Sequence, residues 1–305
     1  MRATSVRFLL LAALWGSSFT LIKMSLEGLT PAQLVLARLL LGAGVLLAVA
    51  RAHGVRLPVD RATWAHLGVA AALGNVAPFL LLSYGEQTTA AGAAGVLIGA
   101  TPLLTLALAA AVLPAERATR RKLAGLLVGF AGVVLVLAPW QTAAGSVGWP
   151  QSACLAAAGS YAAGFVYVRR LLSPRGLPAL GLAAAQLTAA VVLQAAVTPL
   201  LAWSTPQVTV RVLLAVAVLG LAGTGVAYVL YFQLISDLGA TTASAVNYVV
   251  PAFAVLLGVV LLGESVTWHL LTGGLLIVLG VAHAENRLAQ LPSQRRATPA
   301  ACVGS

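Results

Sequence analysis

The chain has 305 residues, 60% of them hydrophobic and 8% charged, with a mean hydropathy of +0.98 and a formal net charge of +11. This composition excludes an ordinary soluble domain, in which about a quarter of residues are charged. It also removes nucleic acid as the reason for the positive charge, because in a chain this apolar the basic excess sits in loops that orient membrane helices.

Apolar runs of about 20 residues, rather than about 10 with strict alternation, predict helices and not the strands of a barrel. Ten are predicted, near residues 6–25, 32–50, 64–84, 88–112, 121–138, 150–170, 178–201, 210–234, 240–262 and 267–284. The first follows Arg2 and Arg7 as a signal peptide would, but apolar runs continue along the whole chain, so it reads as a retained helix. The connections are short, and none could hold a soluble domain. Placing the N-terminus inside puts Arg2, Arg7, Arg51, Arg56, Arg61, Arg117, Arg120, Arg121, Lys122, Arg169, Arg170, Arg175, Arg287, Arg295 and Arg296 on the inner side, 15 of the 18 basic residues. Both termini are therefore expected in the cytoplasm of a multi-pass protein of the cell inner (plasma) membrane. Residues 286–305 read as a disordered cytoplasmic tail.

The chain writes one pattern twice. Pro102, Glu116, Gly125 and Gly132 recur as Pro251, Glu264, Gly273 and Gly280, offset by 149 residues at the prolines and 148 thereafter. Gly74 and Asn75 likewise match Gly223 and Thr224, and the helix carrying Trp15 and Phe19 matches the one carrying Tyr161 and Phe165. Each half holds five helices, an odd number, so the halves have opposite orientations. The fold expected is an all-α integral membrane protein of ten transmembrane helices in two inverted five-helix repeats, 6–138 and 150–285. Pro102 and Pro251 each remove a backbone hydrogen bond and are expected to bend their helices. Inverted repeats with interrupted helices in matching positions are a signature of secondary transporters, whose substrate lies near the midplane. Packing alone is the other reading of such a duplication.

In order, spacing and duplication, the chain resembles the EamA-type members of the drug/metabolite transporter superfamily over Phe8 to Glu285. The residues that carry this are LWGSSF at 14–19, ARLLLGA at 37–43, the two Pro…Glu…Gly…Gly blocks and LGATTASAVNYVVPAFAVLLGVVLLGE at 238–264. The resemblance implies a carrier of small metabolites, commonly an exporter of amino acids or related compounds, with a cavity lined mainly by helices 1, 3, 4, 6, 8 and 9. The first copy departs from the pattern at Leu113-Pro114-Ala115.

Arg38 is the costliest residue to place, roughly 10 Å into helix 2 at 1.5 Å per residue. It either faces the cavity or snorkels to the outer surface. Thr224, Tyr228 and Tyr231 share one face of helix 8, and Asn75 and Phe79 one face of helix 3. Such stripes line a wet cavity, join helices, or anchor at the interface. Trp15 and Ser18 with Tyr161 become cavity contacts by resemblance. Thr101, Asn247 and Tyr248 sit where the prolines free carbonyls. The candidate substrate contacts are thus Trp15, Ser18, Arg38, Asn75, Thr101, Tyr161, Thr224, Tyr228, Asn247 and Tyr248. Glu116 and Glu264 fall at helix ends, where a carboxylate favours the positive end of the following helix.

No carboxylate is expected at mid-membrane, so coupling is by exchange, by facilitated movement or through a group near a cavity mouth. The sequence offers no metal-ligand cluster, cofactor motif or catalytic constellation, so no enzyme is expected. The partners are the lipid bilayer and a small molecule, with the chain acting as a monomer or homodimer. A multidrug exporter is the rival within transport, and a non-transporting membrane scaffold the rival outside it.

Overall fold

A computed structural model describes residues 2–112, 119–138, 148–201, 203–238 and 246–284. They form ten helices: α1 (Arg2–Leu26), α2 (Pro31–Ala52), α3 (Arg61–Gly85), α4 (Ala91–Val112), α5 (Arg120–Leu137), α6 (Trp149–Tyr167, extended by a π turn Val168–Leu172), α7 (Ala179–Leu200), α8 (Val210–Ile235), α9 (Val246–Leu262) and α10 (Trp268–Ala284). Glu116, the 113–115 departure, the first residues of the ninth predicted helix and the tail lie outside the described residues.

Side chains written into the sequence start several of these helices. Thr30 and Gln33 form a reciprocal capping box ahead of Pro31, and Asp60 accepts from the Thr63 amide at 2.7 Å. Thr119 and Thr209 cap α5 and α8 in the same way. Each satisfies an amide that the helix itself cannot. Among the described residues six helices are long and apolar enough to cross a bilayer, and α9 and α10 are apolar over 17 residues each. The chain is a multi-pass membrane protein. α5 opens on Arg120, Arg121 and Lys122, and α6 carries Gln151, Ser152 and Ser160.

The halves interlock rather than stand side by side. α1 packs on α9 as α6 packs on α4, and α2 packs on the π turn of α8 as α7 packs on α3. Two further interfaces join equivalent helices: α2 with α7, and α5 with α10, the most extensive of all. This set of contacts is what a two-fold axis relating inverted repeats generates. The four duplicated glycines meet at the α5–α10 seam. A Cβ on Gly125 would lie 2.5 Å from the Gly280 carbonyl oxygen, and one on Gly132 would lie 2.5 Å from that of Gly273. Small residues allow this backbone approach, which replaces the missing hydrophobic drive between helices in lipid.

Gly280→Ala places a methyl group 2.5 Å from the Gly129 amide nitrogen and is expected to cost about 1–3 kcal/mol. Gly44, where an added Cβ would meet nothing within 4 Å, is the control, and Gly44→Ala should hold or raise stability through helix propensity. Denaturation midpoints in detergent micelles check this; equal midpoints for the two variants would mean the seam is not tight.

Candidate functional site

Three helices lose α-regularity at similar depth. α3 widens into a π turn at Ala72–Val76 and α8 at Val218–Val226, and these hold the matched pairs Gly74-Asn75 and Gly223-Thr224. α4 breaks between Ile98 and Thr101. Pro102 has no amide to offer the Ile98 carbonyl, and the Thr101 hydroxyl donates to that carbonyl instead at 2.7 Å. The corresponding helix α9 runs on through Pro251 as one described element. The two proline sites therefore differ, with a break before Pro102 and continuity at Pro251.

Beside these irregular turns, at the centre of the bundle, lies a cavity of about 190 Å³. Its walls are Trp15, Ser18, Phe19 and Ile22 of α1, Phe79 and Leu82 of α3, Thr101 and Pro102 of α4, Tyr161 and Phe165 of α6, Gly223, Tyr228 and Tyr231 of α8, and Asn247 and Pro251 of α9. Arg38 of α2 joins them. The aromatic rings pack on one another: Trp15 on Tyr231 with centroids 5.3 Å apart, and Phe79 edge-on to Tyr161 at 6.3 Å.

Arg38 does not snorkel. It is buried, its Nε donates to Thr224 Oγ1 at 2.9 Å, and its guanidinium carbon lies 3.8 Å from the centroid of Phe79. The Thr224 hydroxyl in turn donates to the Leu219 carbonyl, five residues back, at 3.0 Å. The π turn thus aims an acceptor at the arginine, and an aromatic face supplies the second attraction. Among the described residues no carboxylate lies within 4.0 Å of Arg38.

Trp15, Ser18, Arg38, Thr101, Tyr161, Tyr228 and Asn247 are brought to one cavity. Asn75 and Thr224 stand behind its wall. The Asn75 Oδ1 accepts from Gln186 Nε2 at 2.8 Å, while its amide nitrogen is buried beside Tyr228. Tyr248 is not part of the wall and packs against the apolar cluster of Val250 and Ala254. Gln186 is not among the residues that the sequence singles out. An amide in the otherwise apolar run AAAQLT is the signal that could have found it.

Glu264 is a helix-end fitting, but not of the helix that follows it. Gly263 turns the chain back at φ +68°, and the carboxylate accepts from the amides of Ala91 at 2.6 Å and Gly92 at 3.0 Å, at the start of α4. Lys23, far away in the sequence, brings its Nζ to 4.0 Å from Oε1.

A model of the EamA-like transporter family matches the chain twice, over residues 4–138 and 149–284. The uncharacterized transporter YdfC of Bacillus subtilis is 29% identical over 89% of this chain and 87% of its own. The uncharacterized inner membrane transporter YedA of Escherichia coli K12 is 30% identical over 83% of this chain and 81% of its own. A probable terminal-alkyne amino-acid exporter of Streptantibioticus cattleyicolor is 28% identical over 90% of both. One solved crystal structure superposes with a TM-score of 0.67 at 24% identity, covering 95% of this chain and 99% of that one, which establishes the shared fold.

Glu264 thus pins the start of a first-half helix with a second-half carboxylate. Glu264→Ala strips two amides of a charged acceptor and is expected to cost about 2 kcal/mol, as caps and charge-assisted bonds do. Exposed Ser265 should tolerate alanine within about 0.5 kcal/mol. Chemical denaturation in micelles separates the two, and an unchanged midpoint for Glu264→Ala would remove the cap from the list of stabilising contacts.

Proposed function

Because this chain belongs to the EamA-like transporter family, we propose that it is a secondary transporter exporting amino acids or related small metabolites by alternating access. It sits in the cell inner membrane with its arginine-rich face and both termini in the cytoplasm. Residues 6–138 and 150–285 are its two repeats and 286–305 a cytoplasmic tail. One chain encloses the cavity, so a monomer suffices, and a homodimer would hold two pathways.

The observation that carries the substrate class is Arg38. A guanidinium held in the central cavity by one neutral hydroxyl and an aromatic face keeps further N–H donors for a ligand. Its geometry suits a carboxylate, which it can grip with two parallel bonds. A charge is costly at this depth unless it serves a pathway. The aromatic walls then accept an apolar side chain, and Thr101, Asn247 and Tyr228 offer neutral polar groups for the rest of a zwitterion. The Streptantibioticus relative, named as a probable amino-acid exporter, supports the same class. A multidrug exporter would need the aromatic walls and not the arginine.

Because the halves interlock, the units that move are not the sequence halves. The contacts group α1, α8 and α9 on one side of the cavity and α3, α4 and α6 on the other. Rocking of these two groups opens the cavity to one face and then the other, with α2 and α7 between them.

Comparing metabolites in medium and cells with and without the gene identifies the compound class, and counterflow of radiolabelled neutral amino acids into vesicles tests it directly. Arg38→Ala should weaken substrate half-saturation by about tenfold to a hundredfold, the worth of a bond to a charged group. Protein levels in the membrane should stay intact. Arg38→Lys should recover only part, since an ammonium lacks the two-pronged geometry. Counterflow by Arg38→Ala at the wild-type rate would remove Arg38 from substrate binding, and resistance to structurally unrelated toxic cations without amino-acid flux would favour the multidrug reading.

A further inference from the structure

On the face where α1 ends and α4 begins, a second cavity of about 510 Å³ is lined by Lys23, Glu27, Glu86 and Glu264. It lies directly over the central cavity along two helix faces. Phe79, Leu82 and Glu86 follow one another on the same side of α3, the first two in the central wall and the third in this vestibule. On α1, Phe19 in the central wall and Lys23 in the vestibule are one turn apart.

The three vestibule carboxylates are not equivalent. Glu27 faces Arg211 at 3.2 Å. Glu264 holds two backbone amides and lies 4.0 Å from Lys23. Glu86, which ends α3 just beyond its membrane span, is 1% exposed, and neither of its carboxylate oxygens has a hydrogen-bond partner. A bare buried carboxylate is among the costliest groups a protein can hold, and taking up a proton is its ordinary relief. The charged and titratable groups facing it are Lys23 of α1, Arg38 of α2, Cys154 and Tyr161 of α6, and Glu264. Burial pushes the Glu86 carboxyl well above the usual carboxylate range; the fields of Lys23 and Arg38 pull the other way, and that of Glu264 adds to the rise.

We propose that Glu86 is a proton-binding site at the vestibule end of the transport pathway, coupling substrate movement to a proton moving in the opposite direction. This rests on the transporter reading above. In the conformation described, the carboxyl carries its proton and is neutral. When the pathway opens to the opposite face, the O–H proton passes to water on that side through the central cavity, and the carboxylate left behind attracts Lys23 and Arg38. When the vestibule opens, re-protonation from its water releases them, so the proton crosses against the substrate. Arg38 is thereby sensitive to the charge on Glu86, which gives the proton and the substrate carboxylate a common partner.

Infrared spectra of the full-length protein in lipid vesicles test the site without a substrate. At neutral pH the wild type should show the carbonyl band of a protonated carboxyl that is lost as pH rises, and Glu86→Gln should lack it. Absence of the band in the wild type, or its persistence in Glu86→Gln, overturns the proposal. In vesicles loaded with radiolabelled neutral amino acids, an imposed pH gradient should accelerate wild-type flux by roughly tenfold per pH unit near the group's titration. Glu86→Gln should lose that dependence, and Glu86→Asp should keep it at a shifted pH, which guards against a variant that merely misfolds. Amino-acid flux that ignores the gradient overturns the coupling while leaving the transporter reading intact. No flux of any amino acid, with the infrared band present, overturns the substrate reading and leaves the proton site standing.

Discussion

Hydrocarbon offers no water to a backbone group that a helix leaves free, so every departure from α-geometry at membrane depth must be answered by a neighbour. This chain departs repeatedly near its centre, and each departure is answered by a specific side chain. Thr101 takes the Ile98 carbonyl released by Pro102, and Ser160 of α6 takes the Leu73 carbonyl beside the π turn of α3 at 2.7 Å. Thr224 takes the Leu219 carbonyl in α8. The groups that satisfy the backbone are the same groups, or immediate neighbours of the groups, that form the polar part of the cavity. Closing the backbone's hydrogen bonds and building a site are here one requirement.

Arg38 shows how far that coupling goes. Its cation would be costly anywhere in α2 facing lipid, yet the position is buried rather than drawn to the surface. The π turn of α8 presents Thr224 toward it, and Phe79 lies on the adjoining wall. Neither partner cancels its charge. A carboxylate in that place would have made a stable, closed ion pair with little left for a ligand. Two neutral partners hold the guanidinium in position and keep its field directed into the cavity.

Much of this is legible in the residues. Ten apolar runs become ten helices with ends displaced by only a few positions, because caps such as Thr30 and Asp60 lie where the runs begin. The 149-residue offset identifies Asn75 and Thr224 as equivalents, but not the π turns that hold them, since a π turn changes hydrogen-bond spacing without changing composition. Tyr248 escapes a linear reading for a related reason: adjacency to a proline in sequence does not fix which side of the helix faces inward. Glu264 is recognisable as a helix-end group but belongs to another helix than the one after it, because nothing local says that Gly263 turns it back toward α4. Lys23, its neighbour in space, is more than two hundred residues away in the chain. Partnerships across the two-fold are the part a linear reading does not reach.

The two-fold symmetry is itself incomplete, and where it fails is informative. The seam of α5 and α10 is nearly symmetric, glycine against glycine, and so is the framework of α2 and α7. Asymmetry gathers instead along the pathway. Arg38 has no basic counterpart at the equivalent depth of α7, where Ala184, Ala185 and Gln186 stand. α4 breaks where α9 continues. Lys23 and Glu86 approach Glu264 at one mouth. A perfectly symmetric carrier would present the same energetic landscape to both sides of the membrane. Placing the unpaired cation of the cavity and the unpaired carboxyl of the vestibule toward one end gives the two faces different chemistry, which is the minimum a membrane carrier needs to impose a direction on its cargo when a gradient is supplied.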